Sequence, residues 1–453
     1  MMQNNISLRN QIRLLLESEA PATVLEQKLD EIDSAELLHA VFQLSTEEQR
    51  QLLSAISVER AAHLVEEFPS SHGADLIEDM LPREAAPILE EMASNFRVDV
   101  LSEMDHQDTE AILEHLEEED VQEIRELIAY PANVAGGLMM TEFATYPKNA
   151  IVRDVVEDLT GREGDYEFLT VHYIYVVVKK HLLVGVVRLR DLVFADPEAR
   201  IGEIATKAKS VSANASLAEL EQFFADYDIA AVPVVDHRNY LLGIVRRRAV
   251  LEALTEKAEA DHLKAAGIVG GDELRSMPVL LRSRRRLSWL SINIVLNIVA
   301  ASVIALYEET LTAVIALAVF LPIVSDMSGC SGNQAVAVSM RELTLGATNP
   351  RDVARVWGKE LAVGLINGLV LGLLLGFAAW AWKGNLTLAL VIGAALALNT
   401  VLAVSIGGTV PLLLKRLNVD PAVASGPLLT TITDMCGFFL VLSLASLVLP
   451  RLM

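Results

Sequence analysis

The sequence predicts an all-α membrane domain of five transmembrane helices, preceded by a cytoplasmic α-helical solenoid and an α/β domain made of two copies of one unit. Three observations predict this fold class: a twelve-residue apolar period, then a duplicated β–α pattern, then a series of long apolar segments. The 453 residues are 52% hydrophobic, yet the formal net charge is −23. Both figures are explained if acidic soluble domains precede an apolar membrane domain.

Charge and cysteine content narrow the function classes. A strongly acidic cytoplasmic region argues against nucleic acid or anionic lipid as a partner and favours cations, with a merely solvated acidic surface as the alternative. Cys330 and Cys436 both fall in apolar segments, which argues against a disulfide scaffold and provides no metal–thiolate spacing. The first residues, MMQNNISLRN, contain no apolar signal core, so we expect the soluble region to stay in the cytoplasm.

Residues 46–129 divide into seven consecutive lines of twelve residues, from TEEQRQLLSAIS to EEDVQEIRELIA. The seventh, eighth and eleventh places are apolar almost throughout, a spacing that puts them on one helical face. The seventh and eighth places hold Leu52/Leu53, Leu64/Val65, Leu76/Ile77, Ile88/Leu89, Val100/Leu101 and Ile112/Leu113, and the eleventh holds Ile56, Phe68, Met80, Met92, Met104, Leu116 and Ile128. Each unit is too short to bury its own face, so we expect residues 1–130 to stack as a small helical solenoid with the methionines in its core.

A second pattern follows, in which an amphipathic helix precedes two β-rich runs. Residues 173–193 and 229–251 share this pattern, and each carries a glycine, Gly185 or Gly243, before a further helix. This duplication resembles a tandem CBS domain, which we place at residues 131–254. The resemblance implies a domain that binds adenosine nucleotides or cations and regulates an attached domain.

Two arginines argue against nucleotide binding by this domain. Nucleotide-binding CBS domains often use a Thr and an Asp just after the second strand, and here Arg188 and Arg246 stand at the Thr places. Asp191 remains in the first copy, whereas the second has no acidic residue there. We therefore expect a regulatory role that does not involve nucleotide.

Long apolar segments fill the chain after a connecting helix at residues 255–284. The five predicted spans, which form a membrane domain over residues 285–453, are 287–307, 311–339, 358–382, 386–414 and 424–449. Each meets the roughly 20 residues needed to cross a bilayer. Most flanking Lys and Arg residues lie before the first span, between the second and third, and between the fourth and fifth. This distribution predicts a cytoplasmic N-terminus and an external C-terminus.

Two acidic residues, Asp326 and Asp434, lie deep within these spans. A charge at mid-membrane costs at least about 2.5 kcal/mol, so it normally faces water or a partner. The stretch PIVSDMSGCSGNQAV at 322–336, and Gly426–Pro427 ahead of Asp434, predict two distorted or broken helices. Two interrupted helices that each carry a carboxylate would form a cation path.

Other polar and small residues in the spans have a simpler interpretation. Hydrogen bonds between helices account for Asn293 and Asn297 in the first span and for Asn399 and Thr400 in the fourth. The glycines of the third span recur every four residues, which is typical of a helix packing face; they are Gly364, Gly368, Gly372 and Gly376.

Three motifs resemble the MgtE family of magnesium channels and transporters. They are YPxxxAGGLMxTEF at 130–143, PxxxxxxGxxGNQ at 322–334 and GPLLTTxxDxxG at 426–437, and the shared domain order covers essentially the whole chain. The resemblance implies a homodimer in the bacterial inner membrane, with an ion pore between the membrane domains. It also implies that the cytoplasmic region senses intracellular Mg²⁺ and closes the pore.

The same resemblance implies which residues hold the transported ion. Asp434 is the principal Mg²⁺ carboxylate, helped by the backbone near Thr430 and Gly437 and by Asn333. Asp326 stands where a small residue is expected; it adds a carboxylate to the path or widens the ion choice toward Mn²⁺, Co²⁺ or Ca²⁺. A salt bridge or a vestibule position is the alternative for Asp326.

The chain also departs from the family near the end of the second CBS copy. Relatives have carboxylates there that bind regulatory Mg²⁺, whereas Arg246–Arg248 bring positive charge. The carboxylates that remain as regulatory candidates are Glu118, Asp226, Asp228, Glu252, Glu256, Glu259 and Asp261. Fixed arginines can pair with the acidic solenoid in place of bound Mg²⁺, so we expect weaker Mg²⁺-dependent gating than in typical relatives.

Two other function classes stay open on the sequence. One is a secondary transporter for another divalent cation, coupled to Na⁺ or H⁺ through Asp326 and Asp434. The other is a membrane enzyme or a non-transporting cation sensor. The sequence has no nucleophile–base pair, metal-ligand cluster or phosphate-binding glycine loop, so we predict that the protein is not an enzyme.

Overall fold

The computed structural model describes residues 8–18, 21–161, 172–179, 181–268, 273, 279–417 and 419–452, with the backbone alone at 34–35 and 423–425. The chain divides into two compact units, Met1–Thr255 and Glu256–Met453.

Ten helices open the first unit, and seven of them follow the twelve-residue period. The first three are α1 (Leu8–Glu17), α2 (Ala22–Asp30) and α3 (Ser34–Phe42). The next seven are α4 (Thr46–Ala55), α5 (Val58–Glu66), α6 (Ser70–Glu78), α7 (Pro82–Glu91), α8 (Ser94–Glu103), α9 (His106–Leu113) and α10 (Glu118–Ile128). Each of these seven begins at the first place of its line, so the predicted unit, one short helix per twelve residues, is confirmed.

The predicted apolar face forms the core of these helices. Every side chain at the seventh and eighth places, from Leu52 to Leu113, is at most 5% exposed. Alternate helices pack together: α4 with α6, α5 with α7, α6 with α8, α7 with α9 and α8 with α10. Met80, Met92 and Met104 are buried in the core as predicted, whereas Ile128 is 36% exposed because no further line follows α10 to cover it.

Carboxylates at the ninth place of two lines cap helices farther along the chain. Glu66 accepts a hydrogen bond from the N–H of Ala93 at 2.8 Å, and Glu78 accepts one from the N–H of Asp105 at 2.6 Å. Ala93 and Asp105 are the residues before α8 and α9. Each carboxylate therefore binds an otherwise free N–H group at the start of the third helix after its own.

The rest of the first unit contains two three-stranded sheets of the same topology. Their strands are β1 (Thr145–Pro147), β2 (Tyr173–Val178) and β3 (Leu182–Arg188), then β4 (Val211–Ser212), β5 (Ala231–Val235) and β6 (Leu241–Arg246). In each sheet the first two strands are parallel and the last two antiparallel. Their helices are α11 (Ala135–Leu138), α12 (Val152–Gly161), α13 (Leu189–Val193), α14 (Ile201–Ile204), α15 (Leu217–Asp226) and α16 (Arg247–Ala265).

Strand register confirms the predicted duplication residue by residue. Gly185 lies opposite Val176 in the first sheet, and Gly243 lies opposite Val234 in the second. Arg188 and Arg246 end the third strand of their sheets, so they occupy equivalent positions. The two predicted amphipathic helices are α12 and α15.

Glu142 joins this α/β part to the helical repeat. Its carboxylate accepts hydrogen bonds from the N–H and the hydroxyl of Ser94, both at 2.9 Å, and Ser94 also accepts one from the N–H of Thr141. Because Ser94 begins α8, the motif residue Glu142 acts as the N-terminal cap of a helix in the other domain.

Seven helices follow α16 in the second unit. They are α17 (Val279–Ala305), α18 (Glu308–Ala313), α19 (Leu317–Thr344), α20 (Val353–Lys383), α21 (Leu386–Arg416), α22 (Pro421–Leu447) and α23 (Leu449–Leu452). In the described part of the chain, four segments are long and apolar enough to cross a membrane: Val279–Ala305, Val353–Lys383, Leu386–Arg416 and Gly426–Leu447. The remaining predicted span, 311–339, corresponds to α19, whose polar central stretch SDMSGCSGNQ lowers its mean hydropathy.

The predicted breaks in two of these helices are wrong. α19 continues through Pro322 and the stretch 322–336, and α22 continues through Gly426–Pro427. Hydroxyl groups bind the carbonyls near these positions: Ser328 Oγ bonds to the Val324 carbonyl and Thr431 Oγ1 to the Pro427 carbonyl, both at 2.8 Å. The second predicted span instead breaks near its start, between α18 and α19.

The predicted glycine packing face on α20 is confirmed. Gly364, Gly368, Gly372 and Gly376 are all buried. A Cβ atom at Gly372 would lie 2.5 Å from the carbonyl oxygen of Gly393 on α21, which is closer than any side chain can approach. The two backbones can be this close only because both positions are glycine.

Candidate ion site

The carboxylate of Asp434 lies where α19 and α22 pack together. The hydroxyl of Ser325 on α19 donates a hydrogen bond to Asp434 Oδ1. Ser325 is buried and Asp434 is half-buried. Along the same interface, a Cβ atom at Gly332 would lie 2.9 Å from Leu429, so the two helices run antiparallel. A glycine that sequence analysis interprets as a helix break is therefore a contact point between helices.

Asp326 follows Ser325 on α19 and brings a second carboxylate to the same height along the helix as Asp434. Its side chain is exposed, and its carboxylate repels that of Asp434 electrostatically. Within the described part of the chain, no basic group lies within 4.0 Å of Asp326, so the predicted salt-bridge alternative has no counterpart there.

Asn333 and Thr430 lie at a second level along the same helix pair. Both side chains are exposed. Asp326 and Asn333 are seven residues apart, about 10 Å along α19, and Thr430 precedes Asp434 by one turn on α22. The predicted pore residues thus occupy two adjacent helices, with Asp326, Asp434 and Gly437 near one level and Asn333 and Thr430 near the other.

A third helix contacts the turn that carries Asp434. Asn399 on α21 is fully buried, and its Nδ2 donates a hydrogen bond to the Thr433 carbonyl oxygen at 3.0 Å. The prediction of a bond between helices is confirmed for Asn399. It is wrong for Asn297, whose side chain bonds to the Asn293 carbonyl of its own helix, one turn away, and for Thr400, whose Oγ1 has no hydrogen-bond partner among the described residues.

Ser325 is the site residue that sequence analysis misses. It is one of several serines in the stretch SDMSGCS, and nothing in the local pattern distinguishes it from Ser328, which bonds to its own helix. Its role depends on a partner 109 residues away.

Arginines pair with two of the predicted regulatory carboxylates in the first unit. Arg247 lies 3.1 Å from Asp228, and Arg248 lies 2.6 Å from Glu252. Arg247 also donates to the Tyr227 carbonyl at 2.8 Å, which holds its guanidinium in place. Two carboxylates expected to bind Mg²⁺ are therefore already paired with arginines of the chain itself.

Arginines of the run 246–248 also interact electrostatically with Glu66 and Glu67 at the end of α5. Burial raises the pKa of the Glu66 carboxyl above its usual value, while the hydrogen bond from Ala93 and the charge of Arg246 oppose that rise. Arg248 interacts electrostatically with Glu67, the next residue.

The remaining regulatory candidates are spread over several elements. Glu118 begins α10, Asp226 ends α15 and accepts a hydrogen bond from Gln222, and Glu256, Glu259 and Asp261 lie on α16. Among the described side chains, no three His, Cys, Asp or Glu residues form a group that could hold a metal ion.

Known protein families match most of the chain. A family described as a divalent cation transporter matches residues 321–444, the MgtE intracellular N domain matches 29–133, and the CBS domain matches 201–256. The chain is 38% identical to the magnesium transporter MgtE of Thermus thermophilus, with 72% of each chain covered. It is 34% identical to the protein of the same name from Enterococcus faecalis, over 72% of this chain and 71% of that one.

Two solved structures are similar to the first part of the chain. One is the soluble part of a magnesium transporter, with a TM-score of 0.51 and 27% identity over 55% of this chain and 98% of that one. The other is the cytosolic domain of the Mg²⁺ channel MgtE in complex with ATP, with a TM-score of 0.50 and 29% identity over 54% of this chain and 100% of that one.

Proposed function

Because the chain belongs to the MgtE family, we propose that it is a Mg²⁺ channel or transporter whose ion path runs along α19 and α22. The observation that carries this proposal is the partly buried hydrogen bond between Ser325 and Asp434, which holds a carboxylate between two membrane helices. A charged group at such depth is normally retained for an ion or a proton.

The chemistry of the site suits Mg²⁺. This ion prefers six oxygen ligands and sheds its water reluctantly. One carboxylate per subunit, paired across the axis of a homodimer, would hold a hydrated ion through its waters, firmly enough to select it and weakly enough to release it. The exposed oxygen-bearing side chains of Asn333 and Thr430 would line the approach.

The membrane placement follows from the helices. We propose that α17 and α19–α22 form five spans in the bacterial inner membrane, with the N domain in the cytoplasm and the C-terminus outside. Large apolar side chains that are more than 60% exposed, including Ile294 and Ile298 on α17 and Ile366 and Leu373 on α20, support contact with a lipid bilayer or a second subunit.

The cytoplasmic region is proposed to gate the path. Stacked short helices form a solenoid, and the paired CBS sheets connect it through α16 to the second unit. Lys264 near the end of α16 pairs with Asp420, the residue before α22, at 3.5 Å. This contact supports mechanical coupling between α16 and α22, the helix that carries Asp434.

Uptake in a magnesium-auxotrophic host tests the function. We expect Asp434→Asn to abolish growth rescue and Mg²⁺ uptake, whereas Glu309→Gln, an exposed acidic residue of α18, leaves both near the wild-type level. Normal Mg²⁺ uptake by a well-expressed Asp434→Asn variant would refute the proposal. Competition by Mn²⁺, Co²⁺ and Ca²⁺ in wild type and Asp326→Asn reports whether Asp326 widens the ion choice.

The runner-up function is a secondary transporter for another divalent cation, Mn²⁺, Co²⁺ or Ca²⁺, coupled to Na⁺ or H⁺. The presence of two carboxylates near one level, Asp326 and Asp434, favours this candidate. Flux of one of these cations into proteoliposomes that collapses when an ionophore removes the Na⁺ or H⁺ gradient would establish it. A channel continues to conduct under the same conditions.

Arginine pairing is proposed to weaken Mg²⁺-dependent gating. Limited proteolysis with and without millimolar Mg²⁺ should show little protection in the wild-type chain. Replacing both Arg247 and Arg248 by Ala frees Asp228 and Glu252, so we expect protection to increase; Arg238→Ala is the matched control. Strong protection of the wild type would contradict the proposal.

Nucleotide binding is a separate question for this chain. The relative crystallised with ATP weighs against the expectation that the CBS pair binds no nucleotide. We propose that Arg188 and Arg246, at equivalent strand ends, make ATP binding weaker here than in that relative. Calorimetric titration of both proteins with ATP tests this, and equal affinity would overturn it.

A further inference from the structure

Asn399 is attached to the turn of α22 that carries Asp434. Its Nδ2 donates to the carbonyl oxygen of Thr433, the residue directly before Asp434, at 3.0 Å. This carbonyl belongs to the peptide group that joins Thr433 to Asp434. A hydrogen bond to it therefore restrains the backbone from which the Asp434 side chain extends.

Gly437, one turn later on α22, makes this contact possible. A Cβ atom there would lie 2.8 Å from Asn399 Nδ2 and 3.7 Å from the Cα atom of Ser325. Three helices thus meet beside one glycine. Ser325 of α19 binds the carboxylate of Asp434, and Asn399 of α21 binds the backbone, so the ion-site residue is held at two points by two different helices.

The rest of the Asn399 side chain is not satisfied. The residue is 0% exposed, and its Oδ1 has no hydrogen-bond partner among the described residues. A buried carbonyl without a partner destabilises a protein in apolar surroundings, and leucine would fill a similar volume without that cost. The amide is thus retained at a cost in stability, which indicates that the bond from Nδ2 has a function beyond packing.

We propose that Asn399 is a positioning residue of the ion site, which sets the direction of the Asp434 carboxylate through the Thr433 carbonyl and thereby its preference for Mg²⁺. The proposal rests on the proposed function. Asn399 does not touch the ion; it acts through the backbone of α22. Loss of the amide leaves Asp434 bound to Ser325 alone and free to tilt. A tilted carboxylate selects a small hydrated ion less well, although ions can still pass along the path.

The neighbouring residue supplies a matched control. Thr400 is also 0% exposed on α21, and its Oγ1 has no partner among the described residues. Thr400→Val therefore removes a buried polar atom from the same helix without breaking a hydrogen bond. Asn399→Leu removes the donor at nearly constant volume. Asn399→Ala removes it with a smaller side chain that cannot clash with the neighbouring helices, and α21 already contains several alanines around this position.

The experiment measures Mg²⁺ uptake by the full-length protein in proteoliposomes, with and without competing Ca²⁺ and Mn²⁺. We expect Asn399→Leu and Asn399→Ala to raise the half-saturating Mg²⁺ concentration about fivefold, as for loss of one hydrogen bond. The maximal rate should change less than about twofold, and inhibition by Ca²⁺ and Mn²⁺ should become stronger. Thr400→Val should behave as wild type.

Results that contradict the positioning role of Asn399 can be distinguished from a result that contradicts the proposed function. Unchanged half-saturation in folded Asn399→Ala overturns the proposal, and so does an equal defect in Thr400→Val. A fall in maximal rate with unchanged half-saturation and ion preference assigns Asn399 a structural role and also overturns it. If Asn399→Leu fails to fold, Asn399→Ala decides. A wild-type protein that carries no Mg²⁺ would refute the proposed function instead.

Discussion

The hydroxyl of Ser325 donates a hydrogen bond to the carboxylate of Asp434, and this bond joins α19 to α22 inside the second unit. Its charge within a predicted span and its sequence motif predict Asp434 as an ion-site residue. The partner shows how a lone carboxylate is held in an apolar helix: one oxygen binds the hydroxyl of the neighbouring helix, and the side chain stays half-buried.

Removal of this hydroxyl should weaken ion selection. We expect Ser325→Ala to raise the half-saturating Mg²⁺ concentration for uptake at least about tenfold, because a hydrogen bond to a charged group contributes roughly 1.5–3 kcal/mol and each 1.4 kcal/mol corresponds to about a factor of ten. Ser328→Ala is the control, since the Ser328 hydroxyl bonds to the Val324 carbonyl of its own helix. Equal uptake curves for the two variants would show that the Ser325–Asp434 bond is unimportant for transport.

The α20–α21 contact should not tolerate a methyl group at Gly372. A Cβ atom there lies 2.5 Å from the Gly393 carbonyl oxygen, so Gly372→Ala must push the helices apart, at a cost of about 1–3 kcal/mol. Gly358 is on the same helix and has no atom within 4 Å of the corresponding position, so Gly358→Ala should be neutral or slightly stabilising. Thermal unfolding in detergent separates the two variants, and a similar Tm for both contradicts the prediction.

The attachment of the α/β domain to the helical repeat should depend on Glu142. Glu142→Ala removes both hydrogen bonds to Ser94 and leaves the Ser94 N–H at the start of α8 without its partner, while Glu66 still binds the Ala93 N–H, so we expect a cost of about 1 kcal/mol. We expect faster amide hydrogen exchange at the start of α8 and faster proteolysis between the two domains. Glu114→Ala, at an exposed position after α9, serves as control. Unchanged exchange in α8 would rule out a capping role.

Stability of the helical repeat should fall in mild acid because of His72. This residue is 5% exposed and packs in a cluster with the rings of Phe42 and Phe68, whose centroids lie 4.9 and 5.0 Å from that of its imidazole. Burial lowers the pKa of His72 below the ordinary histidine value of about 6.5, so the unfolded chain binds a proton more readily than the folded one. The stabilisation is present above pH 6.5 and is lost as the pH falls through the folded-state pKa.

His72→Phe should remove this pH dependence. The variant keeps an aromatic ring in the cluster but has no group that takes up a proton. Between about pH 7.5 and pH 5, we expect the Tm of the wild type to fall more steeply than that of His72→Phe, with His39→Gln as the exposed control. Parallel Tm curves for the wild type and His72→Phe would disprove the effect.

Features with a local signal could be predicted from the sequence. The twelve-residue period predicts the start of α5 at Val58 and of α8 at Ser94, because each line contains its own apolar face and start signal. The CBS duplication could be predicted for the same reason, since Gly185 and Gly243 occupy the same place in two strand pairs that each form between neighbouring segments.

Features that depend on distant partners could not be predicted. Pro322 and Gly332 are breaking signals in a single helix, yet α19 is continuous, and at Gly332 it packs closely against Leu429 of α22. The partner of Ser325 is 109 residues away, and that of Asn399 is 34 residues away. No local periodicity specifies such pairs. Asp434 was predictable because its motif, and not its contacts, identifies it.

The carboxylate caps of the helical repeat have a mechanical consequence. Glu66 and Glu78 each bind a group 27 residues farther along the chain, so the two bonds tie overlapping sets of four helices. Bending the stack at any point between α6 and α8 would stretch both bonds at once. We therefore expect the stack to behave as a stiff lever that turns about its ends; distances between spin labels on α5 and α9 that stay constant with and without Mg²⁺ would bear this out.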